Sequence, residues 1–156
     1  MPTINVTERE VSPQFDRGLK VGLIAGLIVL VWVTLLGALS HAGIASTPTY
    51  LSSLALGTEA LDQDNIGFNG YWLVGTIIHF AIFALIGIVF AAVWPRLRRY
   101  GTWTPSILFG IAAYFVVFQI IGRLIEPGLA KALDDVSVFM GFVIAGFYFA
   151  SRYRRA

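Results

Sequence analysis

Cysteine is absent from this chain. Its absence removes thiol redox chemistry, disulfides, thiolate-held clusters and covalently attached c-type haem. It also argues against the small four-helix oxidoreductases that work through membrane cysteines. The first long apolar run contains no acidic residue. Proton- or sodium-coupled carriers ordinarily keep one inside the bilayer, which counts against a small multidrug exporter. There is no carboxylate pair in the apolar runs, no His-Glu metal motif and no Gly-x-Ser-x-Gly elbow. We therefore expect a protein that is not an enzyme, with no metal site and no cofactor that the sequence requires. Asp62-Gln63-Asp64-Asn65 has a slight likeness to a Ca²⁺ loop. It lacks the glycine and the closing glutamate that such a loop uses.

What is present is mostly apolar. The 156 residues are 57% hydrophobic and 13% charged, and the mean hydropathy is +0.77. Soluble domains are nearer ~45–50% apolar. The clearest apolar run is Tyr71–Trp94, in which His79 is the one ionisable group. A helix of that length rises about 36 Å, more than the ~30 Å hydrocarbon core. Tyr71, Trp72 and Trp94 supply interfacial aromatic anchors, and Pro95 is expected to end the helix. Three further spans are read at about 18–39, 105–122 and 134–151. The first is too long for the core of a cleavable signal and reads as a retained anchor. A polar tail precedes it at 1–17, and a basic tail closes the chain at 152–156. Pro48–Leu56 reads as a short outer interfacial helix, with Leu51, Leu54 and Ala55 on one apolar face. The fold class is all-α: four transmembrane helices as two tandem helical hairpins.

Nine of the eleven Lys and Arg fall on one side of these spans: Arg9, Arg17, Lys20, Arg96, Arg98, Arg99, Arg152, Arg154 and Arg155. Only Arg123 and Lys131 fall on the other. By the positive-inside rule both termini are cytoplasmic in a bacterial or archaeal inner membrane. The basic residues are split among short juxtamembrane segments, so nucleic acid is not an expected partner. The lipid bilayer is one, and other membrane subunits are expected.

Gly18, Gly22 and Gly26 form a GxxxGxxxG row, which lets another backbone approach closely. We expect it to pack within the chain, with a second subunit as the alternative. Gly87, Gly110 and Gly146 are further packing positions. An internal duplication is also suggested. Shifting by 59 aligns Phe80, Phe83, Gly87, Phe90 and Ala91 with Phe139, Phe142, Gly146, Phe149 and Ala150, and shifting by 84 aligns Gly26 with Gly110. The halves would be related by a pseudo-two-fold axis along the membrane normal. His79 then corresponds to Val138. The phenylalanines Phe139, Phe142, Phe147 and Phe149 are expected to face lipid or a partner.

Ionisable groups in a bilayer usually face the bundle interior. Counting helical rise from the inner ends puts Thr34, His79 and Gln119 at one depth, with Ser137 nearby. These four form a candidate polar layer, in which a neutral His79 would hold the helices in register or contact a ligand. The other histidine, His41, lies roughly 10 Å further out, poorly placed for a bis-histidine haem. Arg123 and Glu126, three apart, are expected to pair near the outer interface.

The glycine-rich first helix, the Pro-containing outer loop, His79, Trp94-Pro95 and Trp103-Thr-Pro-Ser-Ile-Leu-Phe-Gly110 together resemble the uncharacterised YagU-like four-helix membrane proteins. The resemblance covers roughly residues 18–150. It implies a histidine in the fourth helix, where this chain has Val138 and Phe139. It brings no activity. The leading expectation is a non-catalytic accessory or structural subunit of a larger membrane complex, of the respiratory or photosynthetic kind. The alternative is a small-molecule, lipid or quinone-binding protein or channel built around His79. A haem-binding electron-transfer protein is the third.

Overall fold

The structure is a computed structural model, and it describes residues 6–40 and 43–154. The described residues are helical, in the order α1 (Val6–Leu39), α2 (Ser46–Leu51), α3 (Ser53–Leu56), α4 (Gly70–Leu97), α5 (Trp103–Tyr114), a π-helical segment (Phe115–Gly122), α6 (Arg123–Ile125), α7 (Leu129–Ala132) and α8 (Asp135–Tyr153). Four stretches are long and apolar enough to cross a membrane: Gln14–Leu39, Gly70–Tyr100, Trp103–Ile125 and Asp135–Tyr153. Their ends differ from the sequence expectation in two places. Residues 6–17, read as a tail, continue α1. Pro95 does not stop α4. It sits in the last turn, where its missing N–H costs one bond, and the Arg98 amide still closes on the Trp94 carbonyl.

α1 and α4 run in opposite directions in backbone contact. A β-carbon on Gly18 would lie 2.8 Å from the Gly87 carbonyl, and one on Gly22 would run into the Phe83 carbonyl. Gly26 sits over Phe80 and Phe83. The glycine row is therefore covered within the chain. α5 and α8 meet in the same way, with Gly110 against the Phe142 carbonyl and Gly146 against the Ser106 carbonyl. These contacts match Gly110 with Gly22 rather than Gly26, because Gly22 meets Phe83 and Gly87 as Gly110 meets Phe142 and Gly146. The offset between the first helices of the halves is thus 110 − 22 = 88, one helical turn from the expected 84. Tyr114 then takes the place of Gly26, and its ring packs on Phe139 and Phe142.

An aromatic seam joins the two pairs. Phe83 meets Phe142 at 5.5 Å between ring centroids, and Phe90 stacks on Phe149 at 4.8 Å. Phe142 and Phe149 are buried in this seam inside the chain, which corrects the expectation that they face lipid or a partner. Phe147 does face outward. Around the bundle, Leu23, Leu27, Val31 and Leu35 form one exposed row, and Leu73, Ile77, Leu85 and Val89 lie exposed along α4.

In α2 and α3, Leu51 and Leu54 are partly buried against the core and Ala55 is exposed, so the apolar face caps the bundle in part. The small Pro48, Thr49, Ser52 and Ser53 are buried beside Tyr50. Small residues are needed there because the α2 backbone rests directly on Gly75 of α4. A β-carbon at Gly75 would run into the Pro48 carbonyl. Replacing Gly75 by Ala should lower the thermal unfolding midpoint in mild detergent, since forcing an atom into a packed contact costs about 1–3 kcal/mol. Gly70→Ala, with open space around the added carbon, is the control. Equal midpoints for the two variants would show that α2 is not seated there.

Candidate functional site

His79 lies on the buried face of α4, in line with Gly75, Phe83 and Gly87 at four-residue spacing. Its ring is 4% exposed. The close approach of α1 brings the Gly26 carbonyl within 2.8 Å of Nε2. A carbonyl only accepts, so Nε2 carries the proton, and in the neutral ring Nδ1 is an acceptor. Among the described residues Nδ1 has no hydrogen-bond partner. Phe80 and Phe83 pack against the ring edge and face. His79 thus ties α1 to α4 through one nitrogen and keeps the other uncommitted.

The ring borders an apolar cavity of about 50 Å³, walled by Val29, Phe83, Phe118 and Phe142, with Thr47 adding a hydroxyl. Val33, Thr47, Leu133 and Val138 wall this cavity and also a larger cleft of about 430 Å³ at the end of the bundle where α1 leads into α2 and α7 into α8. That cleft is rimmed by Ser40, Ser46, Tyr50, Asp134 and Ser137.

The polar layer expected from helical rise does not form. Thr34 is half-buried, and its side chain makes no hydrogen bond among the described residues. It lies about two turns beyond the carbonyl that His79 uses, because the inner ends of α1 and α4 are not level. Gln119 is carried away by the π segment, in which hydrogen bonds reach five residues along rather than four. Its amide donates to the Tyr114 hydroxyl five residues back and, at 3.3 Å, to Asp135. Ser137 turns to Asp134, whose carboxylate caps α8 by accepting from the Ser137 hydroxyl and, at 2.9 Å, its amide. The Ser137 carbonyl accepts from Trp32 of α1. His41 lies outside the described residues.

Arg123 and Glu126 do not pair either. Arg123 meets Asp135 at 3.3 Å, while Glu126 is 8% exposed and accepts from the Gly128 amide. The helix breaks at Glu126, so the three-residue spacing no longer places the two side chains together. The sequence reading missed Gly75, Thr47, Tyr114 and Asp135. Gly75 carried a signal, standing four residues before His79 on the same face.

Two substitutions at His79 separate its roles. Phe keeps the bulk but cannot donate, and should cost about 0.6 kcal/mol, at most ~1.7, typical of hydrogen bonds between membrane helices. Gln, with an amide near the Nε2 position, should recover most of that in a bicelle unfolding measurement. If Phe is as stable as wild type, the Gly26 bond does not hold the pair.

The cap at Asp134 gives a pH dependence. The Ser137 hydroxyl, then its amide, holds the Asp134 carboxyl below the usual carboxylate range. A depressed folded value means that the stabilisation is present above the unfolded value of about 3.9 and is lost as pH falls through the folded one. Asp134→Ala should destabilise at neutral pH by about 0.5–2 kcal/mol. The gap to wild type should shrink on acidification below pH ~4. A gap that is constant with pH would rule out a charged cap.

Comparison with known proteins adds no relative: no family model, no curated protein and no solved structure matches the chain. The likeness to the YagU-like proteins rests on the sequence layout alone.

Proposed function

We propose that this chain is a multi-pass protein of a bacterial or archaeal cytoplasmic membrane that holds a small, mainly apolar, hydroxyl-bearing molecule taken in from the outer side. One arrangement carries the reading. His79 is buried with Nε2 committed to Gly26, and it borders a cavity that shares its wall with the outer cleft. A hydroxyl donating to Nδ1 would complete the ring's hydrogen bonding. The inner cavity, at about 50 Å³, takes a hydroxyl and a carbon or two. Benzene needs nearer ~150 Å³. The body of the ligand would therefore lie in the 430 Å³ cleft. An acceptor nitrogen favours an alcohol, phenol or quinol over a quinone. Haem fits poorly, since Nε2 is occupied and the cavity is far smaller than a porphyrin.

The membrane setting is supported by the exposed apolar rows on α1 and α4 and by the charge distribution. At one end Arg17 lies over the Tyr153 ring, and Trp94 meets Tyr153 at 5.3 Å. At the other, Arg123 pairs with Asp135. We read the architecture as two tandem hairpins, α1–α4 and α5–α8, derived from a duplication in the corrected register.

A second reading keeps the chain as a non-catalytic accessory subunit. What favours it is the third span, of which 22% is buried inside the chain, against 33–39% for the others. Phe115, Val116, Ile120 and Leu124 lie exposed along it.

The test is mass spectrometry of what purified protein retains in mild detergent. Wild type should hold a stoichiometric hydroxyl-bearing apolar molecule. His79→Phe, which has no acceptor, should lose it, as should Val33→Trp, which fills the shared wall. Identical retention in all three would overturn the ligand reading, and stoichiometric copurification of other subunits would favour the second. The absence of native cysteine allows orientation to be read separately. An impermeant maleimide should label Thr58→Cys but not Thr104→Cys in intact cells, and the reverse pattern would invert the topology.

A further inference from the structure

A groove of about 540 Å³ opens between α1 and α8 at the end of the bundle opposite the His79 cleft. Arg17, Lys20 and Arg152 line it with Asp16, Tyr148, Val21 and Ile24. Three cations against one acid leave a local charge of 3 − 1 = +2. Among the side chains described from Gln14 onward the one ion pair is Arg123–Asp135, so none of their carboxylates lies within pairing distance of these three cations. Both guanidinium groups are held in place. Arg17 donates through Nη2 to the Arg152 carbonyl at 2.8 Å and lies 4.3 Å from the centroid of the Tyr153 ring. Arg152 donates through Nε to the Tyr148 hydroxyl at 3.0 Å. Each keeps unused N–H groups, and Lys20 has its full set. Val21 and Ile24 continue the groove toward the centre of the span as an apolar floor.

Resting on the membrane reading above, we propose that this groove binds the phosphodiester of an anionic phospholipid of the inner leaflet. Arg17, Lys20 and Arg152 hold the phosphate, and the acyl chain lies on Val21 and Ile24. Arginine forks match phosphate oxygens in pairs, and tyrosine contacts that fix the forks beforehand reduce the ordering cost of binding. Arg96, Arg98 and Arg99 are equally basic and likewise exposed, but they are not among the residues that line this groove, so they attract anionic lipid without selecting it.

The experiment reconstitutes the full chain in nanodiscs of phosphatidylcholine with a minority of phosphatidylglycerol, and counts retained lipids by native mass spectrometry. Wild type should retain phosphatidylglycerol preferentially, at about one per chain. The triple variant Arg17→Gln/Lys20→Gln/Arg152→Gln should lose that preference on the order of tenfold or more. The same change at Arg96, Arg98 and Arg99 should leave it intact. Lys20→Gln alone, which breaks no described contact, should lose part of it even if the triple variant folds poorly. No preference in wild type, or equal loss in the control triple, would overturn the site. Displacement of the lipid by millimolar inorganic phosphate would assign the groove to free phosphate and overturn the lipid assignment. The membrane reading is judged separately, by whether wild type sediments with membranes after a carbonate wash.

Discussion

Backbone-to-backbone contact between α1 and α4 positions everything else in this structure. Between helices in lipid there is no hydrophobic drive to associate, so close packing and interhelical hydrogen bonds must supply the attraction. Gly18, Gly22 and Gly26 allow α1 to come close enough for the His79 ring to reach the Gly26 carbonyl. A larger residue at Gly22 would push the helices apart and take that bond away. The ring also borders a cavity, and its second nitrogen has no hydrogen-bond partner among the described residues.

The α5–α8 pair makes the same kind of close contact without a histidine. Gly110 and Gly146 bring α5 onto α8, but Val138 stands where His79 stands in the first half, and Tyr114 stands where Gly26 does. The hydroxyl of Tyr114 is met by Gln119 through a π turn, and Gln119 leads on to Asp135 and Arg123 at the outer end. One half thus has a buried imidazole beside a cavity, and the other has a polar chain running out to the surface.

Much of the frame was legible from residues alone. The spans followed from uninterrupted apolar runs, and the glycine row from its spacing. The site was less legible, and each error has a physical origin. Thr34 was set level with His79 by assuming that the inner ends of the helices were flush, whereas α1 continues inward to Val6. Gln119 is expected beside His79 from α-helical rise, which the π segment alters, and Arg123 beside Glu126 from a spacing that the helix break at Glu126 undoes. Phe142 and Phe149 are expected to face lipid or a partner because apolar residues in an apolar helix give no composition contrast between inside and outside. The leucines of the short helices mark one contact with the core, while the contact with Gly75 selects for small side chains beside them.

Taken alone, the sequence determined which stretches are long and apolar enough to cross a membrane, which side of them carries the basic residues, and that one imidazole lies among apolar neighbours. These are local properties, set by run length, charge and spacing within a single helix. Only the tertiary structure decided that the glycine row serves this chain's own α4, that Gly26 is the partner of His79, and that the His79 ring borders a cavity sharing wall residues with a larger cleft. Those outcomes depend on the relative height of two helices. A shift of one turn exchanges every cross-helix partner while leaving each helix's own pattern unchanged.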